Sequence, residues 1–288
     1  MQFMKNCLII PTLNAGILWE EVLAAIDRQI VQPYRKILLD TCSNDETVRM
    51  AEKHGFEVHK IQPPDFNHGL TRQYGADLCP EADVLIYMTQ DALLADPQAM
   101  GNLFQPLENQ QVAAVYGRQL PRPKATPLEA FARHYSYPAT SRIKTLADIP
   151  TLGIHAAFCS NSFAAWRKTA LNQVGGFPGT DFGEDMLAAA RLLKNGWAVA
   201  YCAEATVIHS HPMRIKEEFI RSRQIGQMHR ANPWLEQQFG KTTNAGKKYM
   251  TKQIRFLARN APESLPSALL SAVAKFSGFK IGISGRIK

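Results

Sequence analysis

A short apolar run that ends at one carboxylate constrains the fold more than any other feature of the sequence. The run is Val84-Leu-Ile-Tyr-Met-Thr-Gln-Asp91-Ala. Five consecutive apolar or aromatic residues are typical of a strand buried on both faces, as in a parallel sheet. An acid at the end of such a strand faces the carboxyl edge of the sheet, where open α/β sheets bind ligands. Asp91 is therefore the first candidate functional residue, although a strand-end aspartate is about as often an ordinary loop acid.

Strand-like and helix-like segments alternate around this run. Strands are predicted at residues 7–11, 36–40, 56–61, 112–117, 197–201 and 205–211. The alternation indicates an α/β fold with a doubly wound, mostly parallel sheet. We expect one large α/β domain over residues 1–211 and a helical, basic C-terminal extension over residues 212–288. Within the domain, proline-rich residues 118–150 are predicted to form a long mobile excursion that acts as a lid or acceptor-side loop.

Composition excludes several classes of protein. The five cysteines are scattered without a CxxC pair, which favours reduced thiols in a cytosolic protein over a disulfide framework or a zinc site. The apolar run near the N-terminus is too short for a signal peptide. No window of the sequence approaches the roughly 20 apolar residues of a membrane span.

Positive charge is concentrated at the C-terminus. Residues 240–288 hold ten of the 33 lysines and arginines but one of the 25 acids, Glu263. One interpretation is a solvated pair of basic helices packed on the domain. The other, slightly favoured here, is an interfacial segment attracted to an anionic membrane surface. Nucleic-acid binding is disfavoured because the segment lacks a recognisable motif or regular aromatic interleaving.

Single residues give weak signals for chemistry. Acids are placed at strand ends or helix starts at Asp40, Asp91 and Glu184-Asp185. A carboxylate pair that opens a helix is more often explained by capping and by the helix dipole. His209-x-His211 places both imidazoles on the same side of a strand, which alone is more often a surface pair than a metal site.

The ordered set of motifs resembles the family 2 inverting glycosyltransferases, which have the GT-A fold. The resemblance spans roughly residues 5–211, and its motifs are Pro11-Thr-Leu-Asn14, Asp40-Thr-Cys-Ser43-Asn-Asp45-Glu-Thr47, Thr89-Gln-Asp91, Asn161-Ser beside Trp166-Arg, Gly175-Gly-Phe177 and Glu184-Asp185. Within the family, Asp65-Phe-Asn67-His68-Gly69-x-x-Arg72 and Met88-Thr-Gln-Asp-Ala92 are most similar to rhamnosyltransferases that use dTDP-L-rhamnose in bacterial surface polysaccharide and O-antigen synthesis.

The resemblance implies a site for the nucleotide-sugar donor. Its expected members are Pro11, Thr12, Asn14, Asp40, Ser43, His68, Arg72, Thr89 and Gln90. Asp40 would accept a hydrogen bond from an imide N–H of the pyrimidine base. Arg72 would bind the diphosphate, with a solvated helix arginine as the alternative. His68 would lie by the phosphates or the sugar, with a loop-packing histidine as the alternative.

The resemblance also implies a divalent cation. Asp91 corresponds to the last acid of the family's DXD motif and would bind Mg²⁺ or Mn²⁺ together with the donor diphosphate, and His209 would be a further ligand or phosphate contact. The chain departs from the motif, because Thr89 replaces the first acid and Gln90 is the middle residue. One carboxylate holds a cation less strongly than two, and Thr89 or Gln90 would instead bond ribose or a coordinated water.

An inverting transfer needs a base for the acceptor hydroxyl. Asp185 matches the family's base, which must stand within about 3 Å of the attacking oxygen. Glu184, Asn161 and Trp166 would lie on the acceptor side. No second catalytic carboxylate is required, unlike in two-carboxylate glycosidases.

The expected reaction is rhamnosyl transfer to a polysaccharide or lipid-linked oligosaccharide at the cytoplasmic face of the plasma membrane, with the protein bound peripherally. Two alternatives stay open. One is a UDP-sugar donor. The other is a catalytically silent nucleotide-sugar binding module, which the incomplete DXD motif favours and the presence of Glu184-Asp185 disfavours.

Overall fold

The computed structural model describes residues 4–240 and 242–285, and its described strands form one sheet. The strands are β1 (Asn6–Thr12), β2 (Arg35–Asp40), β3 (Glu57–Lys60), β4 (Val84–Met88), β5 (Leu93–Leu94), β6 (Val112–Leu120), β7 (Arg142–Lys144), β8 (Phe163–Arg167) and β9 (Ala198–Ile208). Their order is β3-β2-β1-β4-β8-β6-β9-β5, with β7 paired to β9. The neighbours β1–β2, β1–β4, β2–β3 and β6–β9 run parallel.

Helices cover both faces of the sheet. They are α1 (Trp19–Asp27), α2 (Thr47–Lys53), α3 (His68–Asp77), α4 (Ala99–Phe104), α5 (Pro127–Ser136), α6 (Ile149–Leu152), α7 (Lys168–Gln173), α8 (Glu184–Lys194), α9 (Ile215–Ala231), α10 (Trp234–Phe239), α11 (Thr242–Asn260) and α12 (Leu265–Ser284). One apolar core lies between the sheet and α1 and α4. The other lies between the sheet and α3, α7 and α8. This is the predicted doubly wound arrangement.

β4 is the central strand predicted from the apolar run. All five of its residues are buried, and Thr89-Gln90-Asp91 follows it at its carboxyl end. β4 lies between parallel β1 and antiparallel β8, an arrangement that the sequence did not predict. Because β8 runs the opposite way, the residues that precede it lie at the same edge as the carboxyl end of β4. The Thr89 N–H accordingly donates to the Ser162 carbonyl at 3.3 Å.

β9 is one long strand, so the prediction of two strands over residues 197–211 is wrong. Its pairing with β6 shifts register at Gly117, where β9 carries extra residues before Thr206. A Cβ on Gly117 would lie 2.5 Å from the Ala205 carbonyl oxygen, so the close approach requires glycine. His209 and His211 follow the end of β9 rather than belonging to it.

Residues 118–150 are folded, so the prediction of a long loop is wrong. They contain α5, β7 and α6. α5 begins with Pro127 and has a capping box between Thr126 and Glu129, both of which favour a helix start. On its apolar face, Phe131 contacts the ring of Tyr249 at 5.4 Å between centroids. The segment therefore shares packing with α11 of the C-terminal extension, across the predicted boundary at residue 211.

α12 packs against α9 by direct backbone contact. A Cβ on Gly282 would lie 2.1 Å from the Arg223 carbonyl oxygen, and a Cβ on Gly226 would lie 2.4 Å from that of Phe279. Glycine is required at both positions because any side chain would separate the helices. Large apolar side chains on α12 are left more than half exposed: Leu269, Leu270, Val273 and Phe276, here called the α12 stripe. None of the described helices is long and apolar enough to cross a membrane.

Candidate active site

Asp40 joins the ends of β1 and β2. The parallel register places Thr12 beside Asp40, and the Thr12 hydroxyl donates to Asp40 Oδ1 at 3.0 Å. Ser43 donates its hydroxyl to Oδ1 at 2.5 Å and its backbone N–H to Oδ2 at 2.8 Å. Asp40 is 1% exposed. The structure therefore shows Asp40 ordering this turn, and its contact with a base stays a prediction.

Asn14 connects the loop after β1 to the loop after β2. It adopts a left-handed backbone conformation with φ of +46°, which asparagine tolerates better than most residues. Its N–H donates to Ser43 Oγ at 2.8 Å, and its Oδ1 accepts from the Asn44 N–H at 2.9 Å. Half-buried Pro11 precedes Thr12, the last residue of β1. Pro11, Thr12, Asn14 and Ser43 are thus brought together beside Asp40, and their contact with a nucleotide stays a prediction.

Gln90 holds the β1 loop rather than facing a ligand. Its Oε1 accepts from the Leu13 N–H at 2.8 Å, and its Nε2 donates to the Leu13 carbonyl at 3.1 Å. Both ends of the amide are therefore used by the protein, and a contact of Gln90 with ribose or water stays a prediction. The Thr89 hydroxyl is buried and has no hydrogen-bond partner among the described residues.

Asp91 lies in a cluster with two histidines. His211 Nε2 is 2.7 Å from Asp91 Oδ2, and His209 Nε2 is 3.4 Å from Oδ1. The three ligand atoms lie within 4.8 Å of one another. Burial acts to raise the pKa of Asp91, but its close contacts with the two histidines outweigh this effect and hold that pKa well below its usual range. His211 was not predicted as a ligand, and the signal for it was the His-x-His spacing.

Gln119 sets the orientation of His209. His209 Nδ1 lies 2.9 Å from Gln119 Oε1, which also accepts from Arg133 Nη1 at 2.8 Å. Gln119 Nε2 donates to Ser160 Oγ at 2.9 Å, which agrees with this orientation of the amide. An amide oxygen only accepts, so Nδ1 of His209 carries the proton and Nε2 keeps its lone pair. Burial lowers the pKa of His209, which keeps the ring neutral.

The donor set fits a divalent metal ion. A carboxylate and two imidazole nitrogens converge, and neutral imidazole Nε2 is the form that binds metal. Imidazole ligands suit transition-metal ions, whereas Mg²⁺ prefers oxygen ligands. The set therefore fits a divalent cation, and the choice between Mg²⁺ and Mn²⁺ stays a prediction. In metal sites, the second ring nitrogen of a ligating histidine is typically held by a hydrogen bond, as Gln119 holds that of His209.

Asp185 lies in the first turn of α8. Gly183, with φ of +77°, precedes this helix in the left-handed conformation that favours glycine. Asp185 Oδ2 accepts from the Asn161 N–H at 3.0 Å, and Oδ1 accepts from the Met186 N–H at 2.7 Å. Burial and the adjacent Glu184 charge raise the pKa of Asp185 to about 7, against the effects of the Asn161 N–H and Arg72. A half-buried carboxylate with a pKa near neutrality is suited to act as a general base.

Arg72 is buried in an ion pair rather than open to a diphosphate. Its Nη1 lies 3.1 Å from Glu184 Oε1 and 3.2 Å from His68 Nδ1. Arg72 and Glu184 are each 5% exposed. The structure therefore shows Arg72 paired with Glu184, and the contacts of Arg72 with a diphosphate and of Glu184 with an acceptor stay predictions. His68 is exposed, with its ring against Phe66, and its contact with a ligand stays a prediction.

Asn161 holds Glu184 and Asp185 by hydrogen bonds, and Trp166 in turn holds Asn161. Asn161 Nδ2 donates to Glu184 Oε1 at 3.1 Å, and its Oδ1 accepts from the indole of Trp166 at 2.8 Å. Both side chains are almost completely buried. Neither side chain offers surface in this structure, and their contact with an acceptor stays a prediction. They position Glu184 and Asp185 instead.

The Asn67-His68-Gly69 motif ties α3 to the loop that leads into α8. Asn67 caps α3 by accepting from the Gly69 and Leu70 N–H groups, and its Nδ2 donates to Asp181 Oδ1 at 2.7 Å. A Cβ on Gly69 would lie 1.7 Å from the Pro178 carbonyl oxygen, so only glycine fits. This motif therefore helps to position the start of α8.

Comparison with known proteins agrees with this architecture. The family model described as "Glycosyl transferase family 2" matches residues 7–175. The chain is 45% identical over 281 residues to the O-antigen chain rhamnosyltransferase RfbN of Salmonella typhimurium, covering 97% of this chain and 90% of the relative. It is 41% identical over 277 residues to the O-antigen chain rhamnosyltransferase WbaN of Salmonella anatum, covering 96% and 88%.

Solved structures share the fold at low sequence identity. The mannosyltransferase PcManGT from Pyrobaculum calidifontis, in complex with GDP-Man and Mn²⁺, has a TM-score of 0.64 at 17% identity and covers 99% of this chain and 88% of its own. Glucosyl-3-phosphoglycerate synthase from Mycobacterium tuberculosis, in complex with Mn²⁺, UDP-Glc and phosphoglyceric acid, has a TM-score of 0.57 at 20% identity and covers 83% and 80%. These likenesses confirm the predicted GT-A fold. Together with the family match and the two relatives, they show that the chain is an enzyme of glycosyl transferase family 2.

Proposed function

We propose that this enzyme transfers L-rhamnose from dTDP-L-rhamnose, with inversion, onto a lipid-linked oligosaccharide during O-antigen synthesis. The observation that carries the proposal is the 45% identity to an O-antigen chain rhamnosyltransferase over 97% of the chain. The arrangement around Asp185 supports it, because a pure binding module needs no supported carboxylate of raised pKa there.

Asp185 acts as the base in this proposal. The acceptor oxygen forms a bond to the anomeric carbon of rhamnose while the bond from that carbon to the diphosphate oxygen breaks. The acceptor proton passes to the Asp185 carboxylate. Hydrogen bonds from the backbone N–H groups of Asn161 and Met186 fix the orientation of that carboxylate. The raised pKa makes it a stronger proton acceptor than an ordinary aspartate.

The leaving group is stabilised at the Asp91 cluster. Asp91, His209 and His211 would hold Mn²⁺, which supplies positive charge for the departing diphosphate. Gln119 keeps Nε2 of His209 free to bind it. His211 Nε2 lies 2.7 Å from Asp91 Oδ2 and 3.1 Å from His209 Nε2.

The donor nucleotide lies along the carboxyl ends of β1 and β2 in this proposal. Pro11, Thr12, Asn14 and Ser43 would line it, and Asp40 would accept from the pyrimidine imide. The hydroxyl of Thr89, which has no partner among the described residues, would bond ribose or a coordinated water. His68 is assigned to the sugar or phosphates.

Peripheral binding to an anionic membrane on the cytoplasmic side is part of the proposal. The α12 stripe exposes four large apolar side chains on one helix, and the adjoining helices α11 and α12 carry an excess of lysine and arginine. Apolar insertion together with basic charge is how interfacial helices bind anionic lipid.

A donor screen tests the proposed reaction. Nucleoside diphosphate release and thermal stabilisation would be measured with dTDP-L-rhamnose, UDP-GlcNAc, UDP-galactose and GDP-mannose in the presence of Mn²⁺. We expect dTDP-L-rhamnose to give the largest stabilisation at equal concentration, in proportion to its occupancy. A larger effect with a UDP-sugar would replace the donor, and stabilisation without any release in the presence of a glycolipid acceptor extract would favour a silent binding module.

A further inference from the structure

The C-terminal helices enclose a large cleft beside the Asp91 cluster. Its volume is about 1420 Å³, and it lies between α5, α9, α11 and α12. Ser210 and His211 line it at the end nearest the candidate metal site. Phe276 also lines it and belongs to the α12 stripe. The cleft therefore connects the candidate active site with the helix proposed to bind the membrane.

The walls of the cleft are positively charged. The basic side chains among them are Arg133, Arg214, Arg221, Lys247, Lys275 and Lys280. Glu218 balances Lys275 at 3.0 Å, but neither Arg133 nor Arg221 has an ion-pair partner in the described part of the chain. The pKa of Arg133 is lowered by burial and also by the charge of Arg221. An anion between these two guanidinium groups would relieve their repulsion.

The cleft also has apolar surface and unsatisfied polar atoms. Ile215, Ile225 and Phe279 line it together with Phe276. The hydroxyl of Ser271, a residue 2% exposed, and Oε1 of Gln253, a residue 1% exposed, line the cleft without a hydrogen-bond partner in the structure. Two oxygen atoms buried in the wall of the cleft therefore lack a partner among the described residues.

We propose that this cleft binds the phosphate-bearing, apolar end of the lipid-linked acceptor. The inference rests on the proposed function, because it assigns where that acceptor lies. Arginine and lysine side chains bind phosphate oxygens, and the apolar walls fit the hydrocarbon next to the phosphate. A free glycan would leave the apolar walls and the excess of positive charge without a purpose. The connection to the α12 stripe gives the lipid a route from the membrane surface.

The test uses octyl phosphate as a soluble probe, below its micelle-forming concentration, with inorganic phosphate and octyl glucoside as controls. Binding to the full chain would be measured by calorimetry. We expect octyl phosphate to bind more tightly than either control, because it engages both the cations and the apolar walls. Gly246→Trp should weaken its binding at least about tenfold, since residue 246 lines the cleft and an added Cβ there meets nothing within 4 Å.

Two further variants test the contribution of positive charge to binding, separately from the loss of space in the cleft. Arg221→Gln removes one cation of the cleft and should weaken octyl phosphate binding by about tenfold, as expected for loss of a charged hydrogen bond. Lys248→Gln makes a comparable change at an exposed lysine of α11 that does not line the cleft, and should leave binding unchanged. Equal binding by the wild type, Gly246→Trp and Arg221→Gln would overturn the proposal.

The source of the phosphate is distinguished with vesicles. Gly246→Trp should leave co-sedimentation with phosphatidylglycerol vesicles unchanged, because the α12 stripe remains available. A parallel loss of vesicle binding would mean that the cleft takes bilayer headgroups and would overturn the acceptor assignment. Thermal stabilisation by dTDP-L-rhamnose should persist in all variants. If the wild type lacks that stabilisation but binds octyl phosphate in the cleft, the proposed donor fails and the cleft assignment stands.

Discussion

Arg72 and Glu184 form a buried ion pair with 3.1 Å between Nη1 and Oε1. The pair joins α3 to the first residue of α8, directly before Asp185. Asn161 donates to Glu184 from the other side at 3.1 Å. Asp185, the candidate base, therefore lies in a helical turn that these contacts hold in place. The charge of its neighbour Glu184 is paired with Arg72.

Breaking this pair should destabilise the protein. Arg72→Met leaves the Glu184 carboxylate buried without its cation, and removing one partner of a buried pair costs about 3–5 kcal/mol. We expect this loss in the free energy of unfolding measured by urea denaturation. Glu184→Leu should cost a similar amount, but the double variant should lose less than the sum of both. Strict additivity would mean that the two side chains do not interact.

Asp185→Asn should abolish transfer while leaving donor binding intact. The amide cannot accept the acceptor proton, so the rate should fall by about 10²- to 10⁴-fold. Turnover and thermal stabilisation by the donor would be measured on the same samples. Asp77→Asn is the matched control, because Asp77 is exposed and accepts from Gln73 on α3. Full turnover by Asp185→Asn would remove Asp185 from the role of base.

The rate should depend on pH through Asp185. Its pKa is raised to about 7, and a base works when deprotonated, so kcat/KM should be low in acid and rise to a plateau above about pH 7. Well below that value, kcat/KM should fall about tenfold for each pH unit. The profile would be recorded at saturating Mn²⁺. A rate that is flat between pH 5 and 8 would contradict this prediction.

Gln119→Leu should weaken metal binding without removing a ligand. It takes away the acceptor for Nδ1 of His209, so the ring loses its fixed tautomer and orientation. Loss of a partner that orients a metal ligand typically lowers metal affinity by about 10- to 100-fold. Mn²⁺ binding would be followed by electron paramagnetic resonance in the presence of dTDP. Gln110→Leu, at an exposed position, should bind like the wild type, and equal affinity in both variants would disprove the role of Gln119.

The α12 stripe should carry membrane binding. Leu270→Ser with Val273→Ser removes two exposed apolar side chains and should reduce co-sedimentation with phosphatidylglycerol vesicles severalfold. Ile143→Ser changes an exposed isoleucine on β7 and should have no effect. If neither the stripe variant nor high salt lowers sedimentation, α12 is not the membrane contact.

The parallel part of the fold could be predicted because its signal is local. The apolar run to Asp91 marked β4 and its carboxyl end, and the strand ending at Asp40 lies beside β1 as expected. In a parallel sheet these ends meet at one edge, so Asp40 and Asp91 follow from strand boundaries alone. Nothing in residues 161–167 indicates direction, so antiparallel β8 and the placement of Asn161 could not be predicted.

The burial of individual side chains could not be predicted from the motifs. Arg72 and Trp166 have side chains that bind ligands well, but each is buried by contacts with residues far along the chain. A motif gives the type of a residue but not its surroundings. It therefore could not distinguish residues that contact a ligand from residues that hold other side chains in place. Prolines between residues 118 and 150 suggested a loop, yet Pro127 begins α5, where a proline is favoured.

The glycine contacts between α9 and α12 fix the position of α12 relative to the candidate active site. α9 starts four residues after His211, and near its other end Met228 packs against Gly183 at the start of α8. A helix of 17 residues is about 25 Å long, and α12 cannot slide along it where backbones touch. If α12 rests on the bilayer, the reaction centre is held at a set distance and angle above it. The distance between the bilayer and Asp185 would then limit the length of glycan that can reach Asp185.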